Sequence, residues 1–468
     1  MRLALEDGVI KPETRVLDYG CGRGDDVKRL RARGIACEGW DPVHRPAGAR
    51  APSQVVNLGY VVNVIESSEE RAEVLTRAWA LTESVLVVSG RLAAEARPSV
   101  GSVFEDGYVT RLGTFQKLYQ QYELRAWIEA TLGVPTVPAG PGVFYAFRDA
   151  EQRQSFVAAR FRRPLAVPRI RKSDALYEEH KDLLTPVLAF LCARGRLPDE
   201  SELTNAEAIR AAVGSVKRAF QILRAAIGTA QWADVQEQRT KDLLVYLALT
   251  RFGSRPRFSE LPADMRLDVR AFFTSYQAGC ELADALLFSA GDVAAVNQAC
   301  RSSVVGKLTP AALYVHASAI SNLNPVLRLY EGCARGYLGA VEKANVIKLH
   351  REAPQISYLS YPNFDEDPHP TLASALVLSL QTFRVEVRDY RGFKNPPVLH
   401  RKEEFVAHEY AHREKFARLT KQEERYGLYE RPEVIGTQEG WAAVLHSRNV
   451  RLRGHRLLTC RSSPKADY

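Results

Sequence analysis

Two acidic residues and three glycines near the amino terminus carry the first recognisable chemistry of this 468-residue chain. Val16-Leu17-Asp18 reads as the end of a buried strand with an acid at its carboxyl end. Gly20, Gly22 and Gly24 follow at alternate positions, where missing side chains let the backbone turn closely past a ligand. A dinucleotide-binding turn prefers Gly-x-Gly-x-x-Gly, but here Asp25 stands in place of the third glycine and Asp26 follows it. Two acids opening the next helix repel a pyrophosphate. Asp41 ends the run Ile35–Trp40, where its carboxylate is placed to accept hydrogen bonds from both hydroxyls of a ribose. An adenosyl group without a diphosphate fits this set. It predicts S-adenosylmethionine as the cofactor, with Asp18, Gly20, Gly22, Asp41 and Asn57 as the residues that hold it.

The elements that must position these groups follow from hydrophobic periodicity. Helix 25–33, a turn at Gly34 and strand 35–41 make the first βα unit, and the β-branched run 54–65 reads as a central parallel strand. Along that run Asn57-Leu58-Gly59-Tyr60 stands where methyltransferases acting on the amines of bases place Asn/Asp-Pro-Pro-Tyr/Phe. Asn57 and Tyr60 are therefore the candidate catalytic residues, an amide to accept from the target amine and an aromatic face to stack on it; the two prolines are absent. Asn395-Pro396-Pro397-Val398 spells part of that motif far downstream, with no aromatic in fourth place, and reads as a turn. Helix 68–81, strand 84–89, helix 119–132 and strand 142–147 complete an α/β Rossmann-like domain with a parallel sheet. The loop 106–117 follows its fourth strand at the edge where ligands bind, so Thr114, Gln116 and Lys117 are candidates for contact with the methyl acceptor.

Charge separates the chain into parts. Residues 1–150 hold 18 Lys+Arg against 19 Asp+Glu, whereas the remaining 318 hold 46 against 36, so the basicity belongs to the part of the chain beyond the first domain. Arg162, Arg163 and Arg171 lie in one acid-free basic run, and Arg448, Arg451, Arg453 and Arg456 lie in another near the end. Runs of this kind track phosphates. The expected division is a methyltransferase domain at 1–150, a basic linker at 151–175, an α-helical domain at 176–303 and an α+β domain at 304–468. In the last of these, strands are expected at 346–350, 356–361, 375–390 and 397–406, with a helix at 408–426.

Several classes are set aside. No run of 18 apolar residues offers a membrane span, and the acidic start Met1–Asp7 lacks the apolar core of a signal peptide, so the expected location is the cytoplasm. The seven cysteines contain no Cys-x-x-Cys pair, which speaks against structural zinc and for reduced thiols. His408-Glu409-Tyr410-Ala411-His412 spells a zinc-protease motif, but in a highly charged segment and with no third ligand at a motif position, so no metal is expected.

Longer strings carry a family resemblance across most of the chain. Asp18-Tyr-Gly-Cys-Gly-Arg-Gly-Asp-Asp, Gly39-Trp-Asp-Pro, Asn57-Leu-Gly-Tyr-Val-Val-Asn-Val-Ile-Glu, Gly113-Thr-Phe-Gln-Lys and Gly142-Val-Phe-Tyr-Ala-Phe-Arg-Asp, with the later Gly306-Lys-Leu-Thr-Pro, Tyr358-Leu-Ser-Tyr-Pro and Leu419-Thr-Lys-Gln-Glu-Glu, resemble the methyltransferases associated with DNA phosphorothioation. The resemblance implies a bacterial protein with a class I S-adenosylmethionine-dependent methyltransferase domain, linked to DNA sulfur modification and its other components. Two functions remain open: a methyltransferase acting on DNA, or a catalytically silent, cofactor-binding DNA-recognition component of a modification or defence system.

Overall fold

The β-branched runs of the first 150 residues form one six-stranded sheet. A computed structural model describes residues 1–95, 102–110, 113–161, 175–227 and 229–459. After helix α1 (Arg2–Glu6), strand β1 (Val16–Tyr19) leads through α2 (Asp25–Arg31) to β2 (Cys37–Trp40), and β3 (Ser53–Gly59) leads through α3 (Ser68–Ala80) to β4 (Thr82–Ser89). A small sheet of β5 (Ser102–Phe104), β6 (Gly107–Val109) and β7 (Phe115–Gln116) follows, then α4 (Gln121–Leu132), β8 (Thr136–Gly140) and β9 (Val143–Phe147). The strand order is β2-β1-β3-β4-β9-β8, parallel from β2 to β4, with β9 antiparallel to both its neighbours. This is a Rossmann-like fold, but the sheet is mixed where a parallel one was expected. The tight turn Gly140–Gly142 joins β8 to β9 directly, and so short a connection can only be a hairpin.

On one face Leu17, Val56, Leu58, Leu86, Val88 and Phe144 pack against Leu75 and Ala78 of α3 and Leu124 and Ile128 of α4. Each fully buried side chain of this size contributes about 1.5–3 kcal/mol. Ser67 caps α3 by accepting from the Glu70 amide, which fixes where the crossover from β3 begins.

The chain groups into two compact units, Met1–Arg148 with Val293–Asn324 and Tyr330–Tyr468, and Asp149–Asp292 with Pro325–Leu329. Residues 304–324 and 330–468 are thus part of the same unit as the first sheet: the Ala340 amide donates to Ala139 O at 2.7 Å, and Gln121 Nε2 to Tyr337 O at 3.0 Å. Its second sheet is an antiparallel meander, β10 (Lys307–Leu308), β11 (Ala312–His316), β12 (Val346–His350), β13 (Gln355–Ser360), β14 (Ser374–Ser379) and β15 (Val385–Asp389), paired in sequence order. A separate hairpin, β16 (Val450–Leu452) and β17 (Leu457–Thr459), lies nearest the carboxyl terminus.

In the second unit, helix Ala150–Ala159 occupies the start of the expected basic linker. Helices Lys181–Arg194, Ala206–Val213 and Val216–Ile227 share a core built on Leu184, Val187, Leu191, Ile209 and Leu223. The buried Arg196 is bonded by Glu202 and Asp268 at 2.7 Å each.

Four expectations in the other segments are corrected. The run 375–390 is a hairpin, because Leu380–Arg384 turn. No regular strand forms at 397–406, where a 3-10 turn at Lys402–Glu404 stands instead. The helix expected at 408–426 spans Arg413–Arg425, so His408 and His412 sit in the turn before it and do not share a helical face. The apolar spacing over 265–287 predicts one helix, but Phe273–Ser275 break it into helices Ala263–Phe272 and Tyr276–Gly291. Among the described residues no helix is long and apolar enough to cross a membrane.

Candidate functional site

The sheet order reverses between β1 and β3, because the chain steps outward from β1 to β2 and then returns to the other side of β1. In open α/β sheets the crevice at such a switch point, beyond the carboxyl ends of the strands, is where ligands bind. Asp18 lies beside Gly39 on one side and Asn57 on the other in the strand register, so the carboxyl ends of β1, β2 and β3 come out together.

The glycine turn leaves β1 at Gly20, whose φ of +83° and whose distance of 2.4 Å from an added Cβ to Val61 Cγ2 both require glycine. Gly22 differs. Its φ is +53°, yet nothing stands within 4 Å of an added Cβ, so its bare face opens onto space beside the crevice. The Gly20 and Cys21 amides donate to Trp40 O at 2.7 and 3.0 Å, tying the turn to the end of β2. Burial pushes the Cys21 thiol up, as suits a packing residue.

Asp41 extends that tie. Its Oδ1 accepts from the amides of Val43 at 3.0 Å and His44 at 2.8 Å, and its Oδ2 accepts from Gly22 at 3.0 Å. Burial works against its charge, but these three amides outweigh it and hold the carboxyl below the usual range. A carboxylate has about four accepting positions, so one is left, on Oδ2. The expectation that Asp41 takes both ribose hydroxyls is therefore narrowed: with both loops intact it can take one. The residues fit an adenosyl group in this respect, since a bare glycine face and a free accepting position on a fixed carboxylate lie next to each other.

Asp18 and Asn57 form a buried pair, each 4% exposed. Asn57 Nδ2 donates to Asp18 Oδ1 at 2.7 Å, which fixes the orientation of the amide because the carboxylate needs a donor. Burial pushes the Asp18 carboxyl up to about 6 against the lowering effect of that bond. Asn57 Oδ1 has no hydrogen-bond partner among the described residues. An orphaned buried acceptor at a switch point is a place for a ligand's donor.

Strand β3 ends at Gly59, short of the expected 65. Tyr60 takes φ +60°, left-handed and strained for an aromatic residue, and opens a 3-10 turn over Val61–Asn63. Its amide donates to Ser89 O at 3.0 Å while its side chain is 54% exposed at the carboxyl edge. Asn57 and Tyr60 are thus brought to one edge but not to one surface: the amide is inside and the ring outside.

The expected loop 106–117 is the small antiparallel sheet in its described part, and it is anchored by residues that the motifs did not single out as central. Asn63 is 1% exposed; its Oδ1 accepts from Arg91 N at 2.8 Å, its Nδ2 donates to Lys117 O, and its own carbonyl accepts from Lys117 N at 2.7 Å. Arg71 of α3 reaches Asp106 at 2.6 Å. Lys117, a candidate acceptor contact, is bonded by Glu123 at 2.7 Å and Asp106 at 3.1 Å; burial disfavours its charge, but these carboxylates hold it above the usual lysine range. Gln116 is half-buried in β7, and Thr114 is exposed with its hydroxyl 2.8 Å from that of Thr110. A buried Asn-to-backbone clip and a buried Arg leave no motif in a sequence. Arg162, Arg163 and Arg171 lie outside the described residues.

No family model and no curated protein matches the chain. Among solved structures it is similar to the 1,6-didemethyltoxoflavin-N1-methyltransferase of Burkholderia thailandensis with bound 1,6-didemethyltoxoflavin and S-adenosylhomocysteine, at 15% identity over 31% of this chain and 74% of that one, TM-score 0.24. An amino pentose methyltransferase of Micromonospora echinaspora with bound S-adenosylmethionine is 17% identical over 31% and 89% of the two chains, TM-score 0.25. The magnesium protoporphyrin IX methyltransferase of Synechocystis is 15% identical over 32% and 75%, TM-score 0.23. Likeness at this level leaves the chain's own geometry to carry any assignment.

Proposed function

We propose that this protein is an S-adenosylmethionine-dependent methyltransferase whose acceptor is carried by DNA, in association with DNA sulfur modification. The observation that carries the cofactor is the junction of Gly22 and Asp41: a glycine face with open space, bonded to a carboxylate with one accepting position left, at the sheet's switch point. The cofactor supplies an electrophilic methyl group on a sulfonium. The chain's part is then to place an acceptor and exclude water, which is where most of the rate enhancement arises. Asn57 Oδ1 offers an acceptor for a donor group of the ligand, and Tyr60 offers an aromatic face at the edge where a flipped base would stack. The acceptor's link to DNA rests on the basicity beyond residue 150 and on the resemblance of the longer strings.

Incubation with methyl-labelled S-adenosylmethionine and bacterial DNA, with and without phosphorothioate, followed by nucleoside mass analysis, tests this reading. A labelled nucleoside is expected, and Tyr60→Ala should lower turnover more than cofactor affinity. Label in no nucleic acid overturns it. One observation favours a second reading, a cofactor-binding recognition component without turnover: the Asn57 amide is already committed to Asp18 and the two prolines of the amine-methylating motif are missing. Cofactor binding without label transfer to any DNA would establish that reading.

A further inference from the structure

A group of exposed, unpaired positive charges lies far along the chain from the glycine turn. Helix Arg413–Arg425 buries Phe416, Leu419, Thr420 and Glu423 and exposes Arg418, Lys421 and Arg425, whose spacing keeps them on one side. The hairpin β16–β17 packs on this helix: Leu457 N donates to Gln422 Oε1 at 3.1 Å, and the His455 ring stacks on Phe416 with centres 5.4 Å apart. The hairpin turn is closed by the Arg453 amide on Arg456 O at 2.9 Å, and Arg451, Arg453 and Arg456 are all exposed.

None of these six cations is in an ion pair with another described residue, whereas their neighbours are: Arg401 with Glu424, and Arg448 with Glu430. On β15 the contrast is the same, since Arg384 and Arg388 pair with Glu386 and Arg391 with Asp389. Glu414 is the one exposed acid on the helix side that carries Arg418. Six like charges on two packed elements repel one another, and an anion with repeating charge relieves that repulsion.

We propose that helix Arg413–Arg425 and hairpin Val450–Thr459 together bind the phosphate backbone of duplex DNA. A two-stranded ribbon fits the major groove, about 12 Å wide, and a charged helix side can follow the phosphates beside it. The hairpin exposes no large apolar side chain, which an anionic membrane would use as an anchor, and no aromatic for stacking single-stranded bases. The choice of DNA over another duplex rests on the DNA-directed function proposed for the chain; the cofactor site plays no part in it.

The test uses the full-length protein and a short labelled DNA duplex, with anisotropy read from about 50 to 200 mM salt. Wild-type binding should weaken steeply with salt. The triple variant R451A/R453A/R456A should lose about 2.7 from the slope of log K against log salt, about 0.9 per lost phosphate contact, and at least about tenfold in affinity at the lower salt. R418A/K421A/R425A should act the same way without touching the hairpin, and R384A/R388A/R391A should leave affinity unchanged. Absence of duplex binding, unchanged binding by both patch variants, or tighter binding to phosphatidylserine vesicles or single-stranded DNA overturns the proposal. Calorimetry with S-adenosylmethionine runs alongside. Duplex binding through the patch with no cofactor heat keeps this surface and removes the methyltransferase reading, while cofactor heat without duplex binding does the reverse.

Discussion

Gly22 and Asp41 are bonded to each other, and this makes one a cleaner probe of the cofactor site than the other. Asp41→Ala strands three backbone amides, so it should lower stability by about 1–3 kcal/mol as well as affinity. Gly22→Ala adds one methyl into open space at a positive φ, a strain of about 1–2 kcal/mol that leaves the loop bonds in place. Calorimetry should therefore show at least about tenfold weaker S-adenosylmethionine binding for Gly22→Ala with a modest drop in melting temperature; unchanged affinity would mean that the open face is not where the cofactor lies. Asp18 gives a different readout. Its carboxyl is near 3.8 when unfolded and about 6 when folded, so the fold favours the protonated form. The native chain then holds more protons than the unfolded one between those values, and stability falls as pH rises through that window. Above pH 6 the buried charge costs up to about 3 kcal/mol. Asp18→Asn should accordingly raise the melting temperature at pH 8 and change it little at pH 4, a difference that melts at the two pH values measure directly.

The 3-10 turn after β3 and the small sheet β5–β7 are held together by Asn63, which gives this substructure one point of failure. Asn63→Ala leaves the Arg91 amide and the Lys117 carbonyl without their side-chain partner, for a loss of about 1–3 kcal/mol. Asn63→Asp keeps the acceptor for Arg91 but sets a carboxylate against the Lys117 carbonyl, so it should not rescue; a melt in which the aspartate variant matches wild type would refute the two-sided role. This turn also shows where sequence reasoning stops. The strands from Val16 to Ser89, the glycine turn and the place of Asp41 at the end of β2 were legible because buried parallel strands are continuous apolar runs and tight turns need glycine. Val61–Ile65 misread as strand for the same reason: β-branched residues fit a strand by propensity, and only the bond from Tyr60 N to Ser89 O decides that the chain turns. The reversed strand β9 and the hairpin within 375–390 depended on pairing partners, which a single sequence does not display. Asp18–Asn57 was unreadable as a pair because its two members are distant in sequence and meet only through strand register.

The unit that contains both sheets carries several buried or half-buried titratable bases, and their signs combine. Burial pushes His316 and His350 down to about 4 and His400 and His455 to about 3. Two of them have a further local reason to stay neutral. His400 hydrogen-bonds Ile435 O through Nε2 at 2.7 Å and has no partner for a proton at Nδ1, and His455 Nε2 lies 3.0 Å from Lys402 Nζ, itself lowered to about 7 mainly by burial. An unfolded histidine takes up its proton near 6.5, so between 6.5 and about 4 the unfolded chain binds more protons than the native one. Stability present above pH 6.5 is therefore lost as pH falls, by about 1.4 kcal/mol per pH unit for each histidine in its window. Asp18 works in the opposite direction over 3.8 to 6, and Glu403, whose carboxyl burial also pushes up, works with it, but these are two groups against four. The melting temperature should fall steadily from pH 7 to pH 4.5, and His400→Leu, which retains the buried volume and removes one titrating base, should reduce that slope by close to one proton. Melts across this range decide it: a melting temperature that holds or rises on acidification would mean that these histidines take up protons in the folded state.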